Sequence, residues 1–151
     1  MKEGKEGEEG KEEMKIAKKK VKNYKDLNVW LESHRLAVEV YKLTSGFPKE
    51  HRYELTSQLN RAALSVPTNI AEGNSAWHSK EFIQFLNIAY RSANEVDYLL
   101  FFAKDVGLMT GSQLRDFEDS YAKVKNMLGA LRRSLEKYSS SPSSPSFSRV
   151  N

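Results

Sequence analysis

Apolar residues recur at steps of three and four over most of this chain, and nowhere between positions 26 and 138 does a strand-like alternation compete with them. The first such stretch predicts a helix over 27–45, with Asp26 or Asn28 near its cap. It carries two apolar rows, Trp30, Ala37 and Tyr41 on one, Val29, Leu36, Val40 and Leu43 on the other, and Gly46 closes it. Phe47-Pro48 leads into a second helix over 49–71, with Leu55, Leu59, Ala62, Val66 and Ile70 on its inner row and Pro48 suited to a first-turn position. The small side chains of Ala62 and Ala63 let another backbone approach. Ser79 is the expected cap of a third helix, where Phe82, Leu86, Ala89, Ala93, Val96, Leu100 and Ala103 form a heptad-like seam. After Gly107-Leu108-Met109, Thr110 and Gln113 stand at capping-box spacing. Leu114, Phe117, Tyr121, Val124, Leu128, Leu131, Leu135 and Tyr138 then complete a fourth inner row.

Four helices with short connections predict an all-α, antiparallel up-down-up-down bundle. Helices one and three are more apolar than a single bundle requires. The run from Tyr98 to Ala103 is apolar all the way round, and such a helix needs cover on every side. Left on a monomer, the surplus rows make an exposed patch, so self-association is expected, with Val29, Leu36, Tyr98, Phe101 and Phe102 as candidate interface residues.

Composition divides the chain into three parts. Residues 1–25 hold nine lysines and six glutamates with few apolar residues, and are expected to be disordered; residues 139–151, SSSPSSPSFSRVN, read as a second flexible tail. The domain expected over 26–138 balances fourteen Lys and Arg against fourteen Asp and Glu, so the net charge of +4 resides in the tails. There is no cysteine, which excludes disulfides and thiolate metal sites, and no apolar run long enough for a membrane span; a cytoplasmic location is the expectation.

The block Ser65-Val66-Pro67-Thr68-Asn69-Ile70-Ala71-Glu72-Gly73 puts a proline inside the second helix, at a cost of about 3 kcal/mol in an ordinary helix interior. Proline there is expected to bend the helix or widen a turn near Ala63. Asn69 and Glu72 are placed to pair the backbone groups Pro67 leaves open, and Gly73 to supply a positive-φ stop.

For a binding role, Arg52 and Arg61 of the second helix are the first candidates. Arg91 could join them, with Lys49, His78 and Lys80 near the corner between helices two and three. This set reads either as a phosphate-binding patch or as ion-pair partners of Glu54, Glu72, Glu95 and Asp97, and the matching number of carboxylates favours pairing. Trp30 belongs to an apolar row. Trp77, in a polar loop, could stack a base or pack against a neighbouring subunit. Lys18-Lys19-Lys20-Val21-Lys22 is the most cationic local run, read equally as a solubilising arm. His34, His51 and His78 are scattered, and no catalytic, metal or cofactor motif is present, so the reading is of a non-enzymatic protein without a cofactor.

The ordered segments Asp26-Leu27-Asn28-Val29-Trp30, Tyr41-Lys42-Leu43-Thr44, Phe47-Pro48-Lys49-Glu50 and Arg52-Tyr53-Glu54-Leu55-Thr56-Ser57-Gln58-Leu59 precede the proline block. Phe82, Phe85-Leu86 and Ile88-Ala89-Tyr90-Arg91-Ser92 follow it. Together they resemble the bacterial four helix bundle protein family, the 23S rRNA intervening-sequence proteins, which is related to the accessory variability-determinant proteins of diversity-generating retroelements. The resemblance implies a ring-shaped homopentamer and association with RNA, DNA or a ribonucleoprotein. A protein-protein assembly module without nucleic-acid activity is the alternative.

Overall fold

The computed structural model describes residues 23–139. Four helices run up, down, up and down: α1 (Asn28–Ser45), α2 (Ser57–Asn74), α3 (Ser79–Asp105) and α4 (Gly111–Ser139). Each packs on its neighbours in sequence and α4 closes back on α1, which sets α1 and α3 on the diagonal. The expectations for residues 1–22 and 140–151 lie outside the described residues. The other tail positions are corrected: Tyr24–Asp26 form a 3-10 turn capped by the Asn23 side chain, and Ser139 ends α4.

The core is aliphatic and aromatic, built on Leu36, Val40, Leu59, Val66, Ile70, Leu86, Val96, Leu100, Tyr121, Val124 and Leu128. The inner rows of α2, α3 and α4 are those the spacing predicts, except that Tyr138 at the end of α4 is half exposed. The Thr110–Gln113 capping box also forms, with Gln113 N–H donating to Thr110 Oγ1 (3.1 Å) and Thr110 N–H to Gln113 Oε1 (2.9 Å).

The helix ends depart from expectation for physical reasons. α1 starts at Asn28 with Leu27 in the cap position and no side-chain cap. Gly46 has an ordinary right-handed conformation (φ −86°), because Pro48 two residues on already stops the helix. Residues 49–56 are not α-helix: Lys49–His51 form a 3-10 turn and Arg52–Thr56 a wide π turn, with Leu55 buried. The wide turn therefore lies well before Ala63, and α2 runs unbroken through the buried Pro67 and past Gly73. Ser79 is the first residue of α3 and gives no side-chain cap, His78 taking the cap position. The one left-handed glycine among the described residues is Gly107 (φ +85°). There Leu108 N–H donates to Ala103 O (2.9 Å) and Gly107 N–H to Lys104 O (3.0 Å), a glycine-terminated helix end that satisfies the last carbonyls of α3.

Candidate functional site

The proline block is the line along which α2 docks on α3. Ser65, Asn69 and Gly73 recur every four residues, one ridge of the helix. Ser65 Oγ lies 2.8 Å from Ser92 Oγ on α3. Asn69 holds Ser65 in place, its Nδ2 donating to Ser65 O (2.8 Å) and Ser65 Oγ (3.0 Å). Asn69 thus pairs with Ser65 rather than with the Ala63 carbonyl that Pro67 leaves open. Thr68 Oγ1 donates to Leu64 O (2.8 Å), a further local bond beside the proline. Gly73 is not a stop but a point of close approach. A Cβ there would lie 2.5 Å from Phe82 Cδ2 and 2.9 Å from Phe85 Cβ. Glu72 is exposed, and only its backbone carbonyl is engaged, by Ser75.

Of the five residues expected at an interface, two are misplaced. Val29 and Leu36 are 5% and 0% exposed and belong to the core, since their row is the inner one of α1. Tyr98, Phe101 and Phe102 stand outside at 64%, 51% and 44%, while Leu99, Leu100 and Ala103 of the same run turn inward. On α3, Ile88, Arg91, Glu95, Tyr98 and Phe102 follow one another at steps of three and four, all exposed, as a second seam opposite the core. The outer face of α1 carries Leu31, Val38 and Tyr41, also exposed. Leu31 and Val38 escape the sequence reading because they belong to neither row assigned there; their separation of one heptad, with Tyr41 beyond, is the signal that locates them. Tyr53 and Leu64 add exposed apolar surface at the wide turn and on α2.

The basic residues do not form one patch. Antiparallel packing places Lys49 and Arg52, at the α1–α2 corner, at the opposite end of the bundle from Lys80 at the start of α3. Arg61 and Arg91 lie on the outsides of α2 and α3. The expected pairing with carboxylates is not found among the described residues: Lys49, Arg52, Arg61, Lys80 and Arg91 make no ion pair there, and Asp97 instead binds Lys125 on α4 (2.5 Å). Arg35 is paired, to Glu32 (2.5 Å) and Glu39, and its hydrogen bond holds the Glu32 carboxyl below the usual range. Among the described residues no group of three or more His, Asp or Glu is placed to hold a metal ion, and no helix is long and apolar enough to cross a membrane.

The model of the 23S rRNA-intervening sequence protein family matches residues 25–130, from the turn before α1 well into α4. The chain belongs to this family. Its fold is similar to that of a crystallised protein with unknown function from the S23 ribosomal protein family of Bacteroides thetaiotaomicron. The two share 25% identity with a TM-score of 0.65, over 70% of this chain and 95% of the other. Among curated proteins none matches. The family match spans the whole α2–α3 docking line, so the chain's most distinctive block coincides with a packing element. The candidate interaction surfaces lie around it, on the outer faces of α1 and α3 and at the two ends of the bundle.

Proposed function

We propose that this member of the 23S rRNA-intervening sequence protein family is a non-enzymatic, cytoplasmic scaffold that works as a homo-oligomer. The observation that carries the reading is the outer seam of α3, where Tyr98 and Phe102 stand on the side facing away from the core. An apolar row of this kind on a soluble bundle marks an interaction surface. The exposed apolar residues of α1 lie on the diagonally opposite helix. One subunit's α3 face therefore meets the next subunit's α1 face without exhausting either copy, and contact of this head-to-tail kind closes into a ring when its rotation allows. Five copies is the number carried over from the resemblance. Arg91 and Glu95, both on the seam and unpaired among the described residues, give the contact its polar specificity. Light scattering of the purified protein at several concentrations tests the reading. A closed oligomer that Phe102→Glu or Tyr98→Glu dissociates into folded monomers supports it, and a wild-type protein that stays monomeric at high concentration overturns it.

Association with RNA or DNA is the second part of the proposal, and it is favoured by the cations that have no ion-pair partner among the described residues, above all Arg52, Arg61 and Arg91. Each copy repeats them, so an oligomer displays a multiple of the charge that a neutral domain shows alone. A titration with structured RNA at two salt concentrations, repeated with all three arginines changed to Gln, tests this part. Binding that is absent, or unchanged in the triple variant, leaves the protein-assembly module standing instead.

A further inference from the structure

Glycine stands in the interior of α4 at position 129, where no turn, cap or positive φ calls for it. A glycine there weakens a helix relative to alanine, and close helix packing does not require it either. At Gly73 an added Cβ would run into Phe82 and Phe85, but at Gly129 the nearest atom is Nη1 of Arg133, 3.3 Å away, the free end of a long side chain. What the missing side chain provides is room. Gly129 borders an open groove of about 340 Å³ between α3 and α4, floored by the buried Leu86 and Leu128 and bounded on the α3 side by the half-exposed Tyr90.

Two guanidinium groups are gathered at this groove. Arg132 and Arg133 follow Leu128 and Gly129 by four residues, so each stands one turn along the same face of α4. Arg132 is held from both helices. Its Nε donates to Glu136 Oε1 on α4 (2.9 Å) and its Nη1 to Asn87 Oδ1 on α3 (2.8 Å). These two bonds fix the plane of the group and leave Nη2 without a partner among the described residues. Arg133 folds back towards Gly129 and makes no hydrogen bond or ion pair among the described residues. Glu136 is the one carboxylate in the lining, so the two guanidiniums leave a single positive charge over.

We propose that this groove binds a small organic monoanion with a flat apolar body, in chemical class an aromatic carboxylate. The carboxylate accepts from Arg132 Nη2 and from the Arg133 guanidinium, the planar donor groups that suit an ionised acid best. The ring lies over Leu86 and Leu128 against Tyr90, where burial of its faces adds to the charge-assisted bonds. An apolar floor with a few convergent polar groups is the usual build of a small-molecule site. A phosphate monoester suits the groove less well, because its second negative charge finds no further cation and faces Glu136. Neither Tyr98 and Phe102 nor Arg52, Arg61 and Arg91 line the groove, so the site is independent of the oligomer and of nucleic acid.

Saturation-transfer NMR and calorimetric titration of the full chain test the site, with 3-phenylpropionate and indole-3-acetate as probes and the neutral 3-phenylpropanamide as control. The acids are expected to bind with a dissociation constant on the order of 1 mM, and the amide about tenfold more weakly or worse. Arg133→Gln is expected to weaken binding of the acids by about tenfold with the unfolding midpoint unchanged. Gly129→Ala separates the site from the scaffold. Its methyl group displaces the Arg133 guanidinium and narrows the groove, so affinity falls by about tenfold, while the gain in helix propensity raises the unfolding midpoint by about 4 °C. A wild type that takes up the acids no better than the amide overturns the site, as do unchanged affinities in both variants. A Gly129→Ala protein that unfolds earlier than wild type also counts against it, since the glycine would then serve packing.

Discussion

Ser65 on α2 and Ser92 on α3 face one another with their hydroxyl oxygens 2.8 Å apart, at a place where both helices are otherwise packed by alanine and valine. Ser65 Oγ thus accepts from Asn69 and shares a second bond with Ser92, in which either hydroxyl can donate. Replacing Ser92 by alanine leaves Ser65 Oγ without that partner in a part-buried site and is expected to cost about 1 kcal/mol. Changing Ser65 and Ser92 together to alanine should cost less than the sum of the two single changes, with a coupling of about 0.5–1.5 kcal/mol. Urea unfolding of the four proteins measures it, and strictly additive losses would show that the two hydroxyls do not interact.

Gly73 gives a sharper response. A methyl group there gains about 1 kcal/mol of helix propensity but meets the Phe82 ring and Phe85 Cβ inside van der Waals contact. Phe85 Cβ is close to the backbone and cannot swing aside, so the overpacking cost of about 1–3 kcal/mol dominates. Gly73→Ala is expected to destabilise the bundle modestly and Gly73→Val severely, as read by the midpoint of thermal unfolding. A stabilised Gly73→Ala protein would show that α3 yields easily.

Leu36 and Phe102 separate folding from assembly. Leu36 is wholly buried, so Leu36→Ala is expected to cost about 2–5 kcal/mol of subunit stability. Phe102 is exposed and makes little of the core, so Phe102→Ser is expected to leave the unfolding of a dilute monomer within about 0.5 kcal/mol of wild type while lowering the oligomer's apparent mass. Sedimentation velocity and denaturation on the same samples distinguish the two effects. Equal loss of stability in both would place Phe102 in the core.

Tyr121 is fully buried, and neither its hydroxyl nor Asp97 Oδ1 has a hydrogen-bond partner among the described residues. Burial, with the negative charges of Asp97 and Glu39 adding to it, pushes the phenol well above its usual range. The folded state therefore keeps this proton at pH values where the unfolded chain has released it. Its contribution is intact below about pH 10 and is lost as pH rises beyond that, because the unfolded state is then favoured by ionisation. The stability of wild type relative to Tyr121→Phe should fall between about pH 10 and 12. At neutral pH, removing an unpaired buried hydroxyl makes Tyr121→Phe neutral or stabilising by about 1 kcal/mol. Parallel pH profiles for the two proteins would show that the phenol never leaves water.

The inner rows were legible because a helix packed on one side needs only spacing to declare itself, and Leu59, Val66, Leu100 and Tyr121 supply it. The outer rows were not. Val29 and Leu36 share type and spacing with true surface residues, and only the direction in which α1 faces the bundle decides between them. Leu31 and Val38 passed unnoticed because two isolated apolar residues carry no pattern until the core row is known. Glycine misled for a related reason. Gly46 and Gly73 both look like stops on residue type; Gly46 does cap α1, whereas Gly73 serves an aromatic neighbour that lies beyond a loop in sequence. The block from Ser65 to Gly73 stands out in the chain, but the parts Ser65, Asn69 and Gly73 play depend on the helix they meet, which spacing does not identify.

The two central helices bury the small residues Ala62, Ala63, Ala89 and Ala93 and approach closely at the bare backbone of Gly73. Alanine and glycine have no rotamers to surrender, so bringing this pair together orders backbone and almost no side chain. The α1–α4 side carries longer groups, Glu32 and Lys123 among them, whose charges attract across it. Amide hydrogens of α2 and α3 near Ser65 and Ser92 should accordingly exchange last, opening only with the whole molecule. The first helix would then be the part that comes and goes, on the same outer face where a neighbouring subunit is proposed to rest.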